Sequence, residues 1–146
     1  MSWPKPPLVL TGILYICNMK TNRHILGEIA EAKVLGYLMQ QGYRVYLPFS
    51  DNGPVDMIAY KEDKLIRVSV KGTSRLNSKK GWRITLCTTS RRKTGVAINY
   101  FDKTSCDVIA AYIEPLDKVI LIDVKKIDVK REIAVNPEDS FRIYGE

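Results

Sequence analysis

Two unbroken apolar runs in the second half of the chain limit the possible folds most strongly. They are CDVIAAYIE (106–114) and VILIDVK (119–125), and they are joined by the short turn PLDK. A strand with water on one face alternates apolar and polar residues, whereas an unbroken apolar run is typical of a strand that is covered on both faces. The two runs therefore predict neighbouring strands buried inside a layered fold.

The segments before these runs predict a helix followed by a meander of strands. Residues 21–41 have the pattern of a helix, with Thr21 or Asn22 as its N-cap and Gly42 as its C-terminal stop. Four short segments with strand patterns follow, separated by turn-forming residues. They are YRVYLPF (43–49), VDMIAYK (55–61), KLIRVSVKG (64–72) and WRITLCTT (82–89). We predict an α/β fold with a central mixed β-sheet flanked by helices, and a tail with a short helix and a last strand at FRIYG.

The predicted helix carries two apolar stripes at spacings of three and four residues. The first comprises Ile25, Ala32, Leu35 and Met39, with Glu28 among them, and the second comprises Leu26, Ala30, Val34 and Leu38. We expect the first stripe to face the core, which directs Glu28 inwards. The second stripe is then covered by the C-terminal part of the chain or by another subunit.

The composition indicates one domain in a reducing setting. The chain has 146 residues, enough for one domain with its own core. Residues 1–20 differ from the rest and are predicted to be a loosely attached N-terminal extension, before a single domain over residues 21–146. No apolar run reaches the roughly 18 residues that cross a membrane. Three widely spaced cysteines give neither a disulfide framework nor a zinc site, so we expect a cytoplasmic protein.

The net charge of +7 is concentrated in one block. Residues 72–101 contain seven basic residues and no acidic residue, and the remaining 16 basic and 16 acidic residues cancel. A window of this length without an acid favours a polyanionic partner, and a phosphate backbone is the obvious candidate. The predicted DNA-binding residues are Arg75, Lys79, Lys80, Arg83, Arg91, Arg92 and Lys93. We expect TSRLNSKKGWR to form a hairpin and TTSRRKTG to form a mobile basic loop.

A candidate active site lies beside this block. Asp56 opens one predicted strand and Lys71 closes the next, and adjacent strands lie about 4.8 Å apart, so a hairpin between them can bring the two together. With Glu28 from the helix, carboxylate oxygens there can hold a hard cation such as Mg²⁺. The main-chain carbonyl of Val70 can supply another oxygen, and Lys71 can orient a water. This set is suited to phosphodiester hydrolysis.

The order of these residues resembles the PD-(D/E)XK nuclease superfamily. The shared pattern is G-E on a first helix, then VD, then hydrophobic-X-hydrophobic-K at the end of the next strand. From Gly27 to Asp123 the sequence is similar to the small branch of group I intron homing endonucleases and to their bacterial and phage relatives. The resemblance implies a restriction-endonuclease-like α/β core and a Mg²⁺-dependent DNA endonuclease of the site-specific, homing type.

The resemblance also implies roles for individual residues. Asp56 corresponds to the metal ligand, Glu28 to a supporting acid and Lys71 to the catalytic lysine. Ser69 stands at the variable acid position, where most of the superfamily has Glu or Asp and this branch has Gln. A serine hydroxyl is shorter and uncharged, so it can reach a metal only through water. The predicted catalytic set is therefore Glu28, Asp56, Ser69 and Lys71, and the serine puts activity in question.

Other readings of the same residues stay open. Asp56 can be a turn cap, Glu28 can form a structural ion pair or Glu31 can be the acid instead, and Lys71 can guard an exposed strand edge. On the same core, the alternative functions are a Holliday-junction-resolvase-like nuclease and a DNA-binding protein that no longer cuts. Cutting both strands requires two active sites and hence a homodimer or homotetramer, for which the second helix stripe offers a surface.

Overall fold

A long helix and a five-stranded sheet form the centre of the protein. The computed structural model describes residues 22–50, 53–138 and 144. Helix α1 spans Arg23–Gln40. The strands are β1 (Arg44–Tyr46), β2 (Met57–Lys61), β3 (Lys64–Thr73), β4 (Leu76–Asn77), β5 (Gly81–Thr85), β6 (Thr88–Arg92), β7 (Gly95–Asn99), β8 (Val108–Ile113), β9 (Lys118–Asp123) and β10 (Glu132–Val135).

The five-stranded sheet is mixed, as predicted. Its strand order is β1-β2-β3-β8-β9, and β3 and β8 are its parallel pair while the other neighbours are antiparallel. The first three strands form the predicted meander. The β2–β3 hairpin closes at a two-residue turn in which Glu62 (φ 51°) and Asp63 (φ 61°) both have positive φ, the geometry of a type I′ turn.

Both faces of this sheet are covered, which confirms the interpretation of the two apolar runs. Every residue of β8 is buried, and the three central residues of β9 are buried as well. On one face Val68, Val108 and Leu121 pack with the helix. On the other face Ile109 and Ile122 pack against residues of a small sheet with the order β10-β5-β4.

Helix α1 begins and ends where the sequence predicts, but the predicted inner face is wrong. Asn22 caps the helix by accepting a hydrogen bond from the His24 amide (3.2 Å), and Gly42 follows the helix with φ 87°. The buried residues are Ala30, Val34 and Leu38 of the second stripe, whereas Ile25, Met39 and Glu28 are exposed. The second stripe fits the sheet because small Ala30 allows close approach, and Gly72 of β3 lies directly below it. It therefore does not offer the predicted surface for a second subunit.

Two parts of the fold were not predicted. The predicted basic loop TTSRRKTG is ordered into the β6–β7 hairpin, a two-stranded sheet whose register runs from Thr88↔Asn99 to Arg92↔Gly95. Strand β10 lies in the tail and pairs with β5. The predicted hairpin over TSRLNSKKGWR is confirmed by β4 and β5. The predicted last strand FRIYG lies outside the described residues except for Tyr144, as does the N-terminal extension.

In the described ranges, no helix is both long and apolar enough to span a membrane.

An ion pair fastens β3 to the segment that leads into β8. The Asp107 carboxylate accepts hydrogen bonds from the Arg67 amide (2.8 Å), Nε (3.1 Å) and Nη2 (2.9 Å), while Arg67 Nη1 donates to the Thr104 carbonyl (2.9 Å). These bonds to Arg67 hold the pKa of Asp107 below its ordinary value. Because β3 and β8 are far apart in sequence and parallel, this pair fixes the start of their shared register.

We expect Asp107→Asn to destabilise the fold in a pH-dependent manner. A carboxyl whose folded-state pKa is lowered stabilises the fold above its unfolded pKa of about 3.9, and that contribution is lost as the pH falls through the folded-state pKa. The pair is partly exposed, so the expected loss at pH 7 is only about 1 kcal/mol. Urea denaturation measures it: the gap between wild type and variant should be constant at neutral pH and close below about pH 4. A gap that persists at low pH would show that the charge is not responsible.

Candidate active site

Asp56 lies at the entrance to β2 and is tied to β3 by main-chain contacts. Its amide donates to the Val68 carbonyl (2.9 Å), and its carboxylate Oδ2 accepts from the Val70 amide (2.6 Å). The carboxylate therefore bonds to β3 at the point where regular β2–β3 pairing stops. The N–H and C=O of one strand residue point towards the same neighbouring strand, so the Val70 carbonyl also faces the Asp56 side. This places Asp56 and the Val70 carbonyl on one side of β3.

Ser69 and Lys71 project from the same face of the sheet as Asp56. Met57 pairs with Val68, and both pack towards the helix, so the next pair outwards, Asp56 and Ser69, points to the opposite face. Lys71 follows two residues later on that face. Ser69 is 7% exposed, whereas Asp56 and Lys71 are half-buried. The hairpin register thus brings three of the four predicted catalytic residues to one face at the end of β3.

Glu28 is placed differently from the prediction. It lies on α1, which covers the other face of the sheet, and its side chain is exposed to solvent. The helix nevertheless passes close to the end of β3, because a Cβ added at Gly72 would lie 3.0 Å from Leu26 Cγ and 3.3 Å from Ala30 Cβ. Glu28 therefore belongs to the same end of the molecule as Lys71, on the helix rather than in the core.

The oxygen donors at this end of β3 fit a hard divalent cation of the Mg²⁺ type. Such an ion takes oxygen ligands, keeps several waters and often uses only one or two carboxylates together with substrate phosphates. Asp56 and the Val70 carbonyl provide two oxygens on one side of β3, and Glu28 is a further carboxylate on the helix. No three His, Cys, Asp or Glu side chains in residues 22–50, 53–138 and 144 are grouped to form a complete protein cage.

The predicted DNA-binding residues fall into three groups. Arg75 and Arg83 lie beside the end of β3, where both contact Glu132 of β10. Lys79 and Lys80 lie in the exposed turn between β4 and β5. Arg91, Arg92 and Lys93 lie at the exposed tip of the β6–β7 hairpin. The basic block is therefore ordered structure, with its residues in and beside the β4–β5 and β6–β7 hairpins.

The comparison with known families decides the identity of the chain. The sequence profile described as PD-(D/E)XK endonuclease matches residues 21–140. The chain belongs to the PD-(D/E)XK endonuclease family. Members of this family generally use divalent metal ions, in agreement with the oxygen donors around Asp56.

A solved structure has the same fold. The PD-(D/E)XK chain is similar to the bacterial homing endonuclease I-Ssp6803I, with a TM-score of 0.70 and 20% sequence identity over 82% of each chain. At this level of identity the similarity establishes the fold, which agrees with the predicted restriction-endonuclease-like core. No curated protein matches the sequence significantly.

Glu132 is the residue near the site that the sequence did not reveal. Its contact with Arg75 spans 57 positions and its contact with Arg83 spans 49. The local signal was the alternation in REIAV, where Ile133 and Val135 are buried and Glu132 faces outwards. Recognising that alternation as a strand would have placed Glu132 on a polar face, but not its partners.

Proposed function

We propose that this protein is a Mg²⁺-dependent endonuclease that hydrolyses phosphodiester bonds in double-stranded DNA, and that it acts as a site-specific, homing-type enzyme. The observation that carries the proposal is the placement of Asp56, Ser69 and Lys71 on one face at the end of β3, within a PD-(D/E)XK fold. The homing character is supported by the structural similarity to I-Ssp6803I, a bacterial homing endonuclease.

The proposed chemistry divides between the cation and the side chains. Asp56 and the Val70 carbonyl would hold Mg²⁺, with Glu28 of the helix as a supporting acid, and the ion would polarise the phosphate and provide an acidic water. Asp56 is fixed for this role because the Val70 amide holds its Oδ2. Lys71 is half-buried on the same face, where its ammonium group can orient the attacking water or stabilise the charge that develops on the phosphate.

The β6–β7 hairpin supports the proposed double-stranded DNA partner. It is a two-stranded ribbon with Arg91, Arg92 and Lys93 at its tip, and an exposed ribbon of this kind fits the major groove. Lys79 and Lys80 in the β4–β5 turn are suited to phosphate contacts. Each subunit supplies one proposed site, so cutting both strands calls for a homodimer or homotetramer. A reducing, cytoplasmic setting agrees with the two cysteines in the described ranges, Cys87 and Cys106, which are both free.

A plasmid assay tests the proposal directly. Purified protein is incubated with supercoiled plasmid and with cloned genomic DNA from around its own gene, in Mg²⁺ and in EDTA. Nicked and linear products that form only with Mg²⁺ support an endonuclease, and cutting confined to one cloned site supports the homing type. Selective cutting of four-way junctions would instead support a resolvase.

A second candidate is a DNA-binding protein that has lost the ability to cut. Ser69 favours it, because the resemblance implies an acid or Gln at this position and a buried hydroxyl is found here. Retention of Asp56 and Lys71 on the same face favours an active enzyme. Binding of DNA without nicking of any substrate in Mg²⁺ would establish this second candidate.

Restoring an acid at this position is expected to strengthen metal binding. Ser69→Glu places a second carboxylate beside Asp56, so we expect Mg²⁺ affinity measured by calorimetry to rise about tenfold. Without metal the buried carboxylate should lower thermal stability, and Mg²⁺ should restore it. Ser78→Glu, in the exposed β4–β5 turn, is the matched control. Equal Mg²⁺ affinity in wild type and Ser69→Glu would place Ser69 outside the metal site.

A further inference from the structure

A basic recess lies beside the end of β3, next to the proposed active site. It has a volume of about 520 Å³ and is bounded by the first turn of α1, the segment Gly72–Arg75, β5 and β10. Its charged lining residues are Arg23, Arg75, Arg83 and Glu132, which leaves a net charge of +2. The recess begins at Gly72, the residue directly after Lys71. An anion bound here therefore lies at the same end of β3 as the proposed catalytic lysine.

The strand pattern of the small sheet builds the polar wall of this recess. Arg83 and Thr85 alternate with buried Ile84 along β5, and Glu132 of β10 is paired with Thr85. One face of the sheet therefore packs into the core, and the other presents Arg83, Thr85 and Glu132 to the recess. Thr73 of β3 connects this strand to the wall, because its hydroxyl donates to the Arg83 carbonyl of β5 (2.6 Å).

Two arginines share one carboxylate at the centre of the wall. Glu132 Oε1 accepts from Arg83 Nε (2.7 Å), and Glu132 Oε2 accepts from Arg75 Nη2 (3.2 Å). Arg75 Nη2 also donates to the Thr85 hydroxyl (2.8 Å). The two guanidinium groups are thus held side by side, and both side chains are about half-exposed. Each guanidinium carries five N–H donors, and Arg75 uses only Nη2 in these contacts.

We propose that this recess binds a backbone phosphate of the DNA through Arg75 and Arg83, and that the Glu132 carboxylate competes with that phosphate for the two guanidinium groups. Paired, fixed guanidinium groups match the geometry of a phosphate. The carboxylate contacts each arginine through a different oxygen, as two oxygens of one phosphate can. This inference rests on the proposed function for its DNA ligand, and it adds a binding site and a competing residue to it.

The salt dependence of DNA binding tests the site. Binding of a short fluorescent duplex is measured by anisotropy in EDTA, which prevents cleavage, over about 50–200 mM salt. We expect the double variant Arg75→Gln with Arg83→Gln to bind less tightly and to reduce the slope of log K against log salt by about 0.9, the loss of one phosphate contact. The corresponding double lysine variant keeps the charges and should keep the slope.

A matched control removes two positive charges elsewhere. Arg44 and Lys64 are exposed at the other end of the β2–β3 hairpin from Asp56, so their double glutamine variant should keep the wild-type slope. Thermal unfolding confirms that each variant is folded. Equal slopes in the recess variant and the control variant would show that the recess does not bind a DNA phosphate. If wild type cleaves DNA but the recess variant keeps the wild-type slope, only this inference fails. If the recess variant lowers the slope but wild type cleaves no DNA, only the nuclease proposal fails.

A double-mutant cycle tests the role of Glu132. We expect Glu132→Gln to raise DNA affinity about fivefold in the wild-type background, because a neutral amide competes less well for the arginines. In the background that lacks Arg75 and Arg83, the same substitution should change affinity less than about twofold. An equal gain in DNA affinity in both backgrounds would show a general charge effect. It would contradict competition between Glu132 and the phosphate for the two arginines.

Discussion

Replacing Asp56 with asparagine is expected to lower the rate of DNA cleavage by about 10³-fold and to leave the fold intact. Asparagine keeps a side-chain oxygen that can accept the hydrogen bond from the Val70 amide, so the connection between β2 and β3 survives. It loses the negative charge that binds a divalent cation. Single-turnover cleavage of a saturated DNA substrate in Mg²⁺ measures the effect on chemistry apart from binding.

Two controls make the Asp56 result specific. Asp128→Asn removes one carboxylate from an exposed loop residue, and it should cleave at the wild-type rate. DNA affinity of Asp56→Asn, measured in EDTA, should be equal to or tighter than that of wild type, because a negative charge near the phosphates has been removed. Cleavage at the wild-type rate by Asp56→Asn would remove this residue from the site and support its reading as a turn cap.

The sheet was predictable because its signals are local. Alternation in KLIRVSVKG and the unbroken runs of β8 and β9 each define a strand within a few residues. The helix face was not predictable in the same way. Ile25 and Leu26 begin two stripes that are offset by one residue, and both stripes are apolar. The choice between the two stripes depends on packing against the sheet. That packing favours the second stripe, in which the small residue Ala30 lies above Gly72 of β3.

The candidate site was predictable to the extent that one hairpin positions it. Asp56, Ser69 and Lys71 reach one face because a two-residue turn fixes the β2–β3 register, and that turn is visible in the sequence. Glu28 depended on the helix face and was therefore misplaced. Glu132 contacts arginines about fifty positions away, and neither charge patterning nor strand periodicity carries information over that separation.

Lys71 has two remaining explanations, and its position makes them testable. It lies beyond Val68, where regular β2 pairing ends, and its ladder partner among the described strands is β8. A lysine at an open edge can prevent aggregation, and any charged side chain can do this. A catalytic lysine requires an ammonium group at one point, which arginine does not reproduce.

We expect Lys71→Met to lower single-turnover cleavage by about 10²- to 10³-fold, because it removes the charge that assists the reaction but keeps the length and volume of the side chain. Thermal stability should stay equal or rise, since a half-buried charge is replaced by an apolar group. Lys71→Arg should also cleave poorly although it remains soluble. Lys64→Met, an exposed lysine at the start of the same strand, is the matched control and should cleave normally. The contrary result is full activity in Lys71→Arg together with aggregation of Lys71→Met on size-exclusion chromatography. Only the charge of Lys71 would then matter, and its role would be to prevent aggregation at a strand edge.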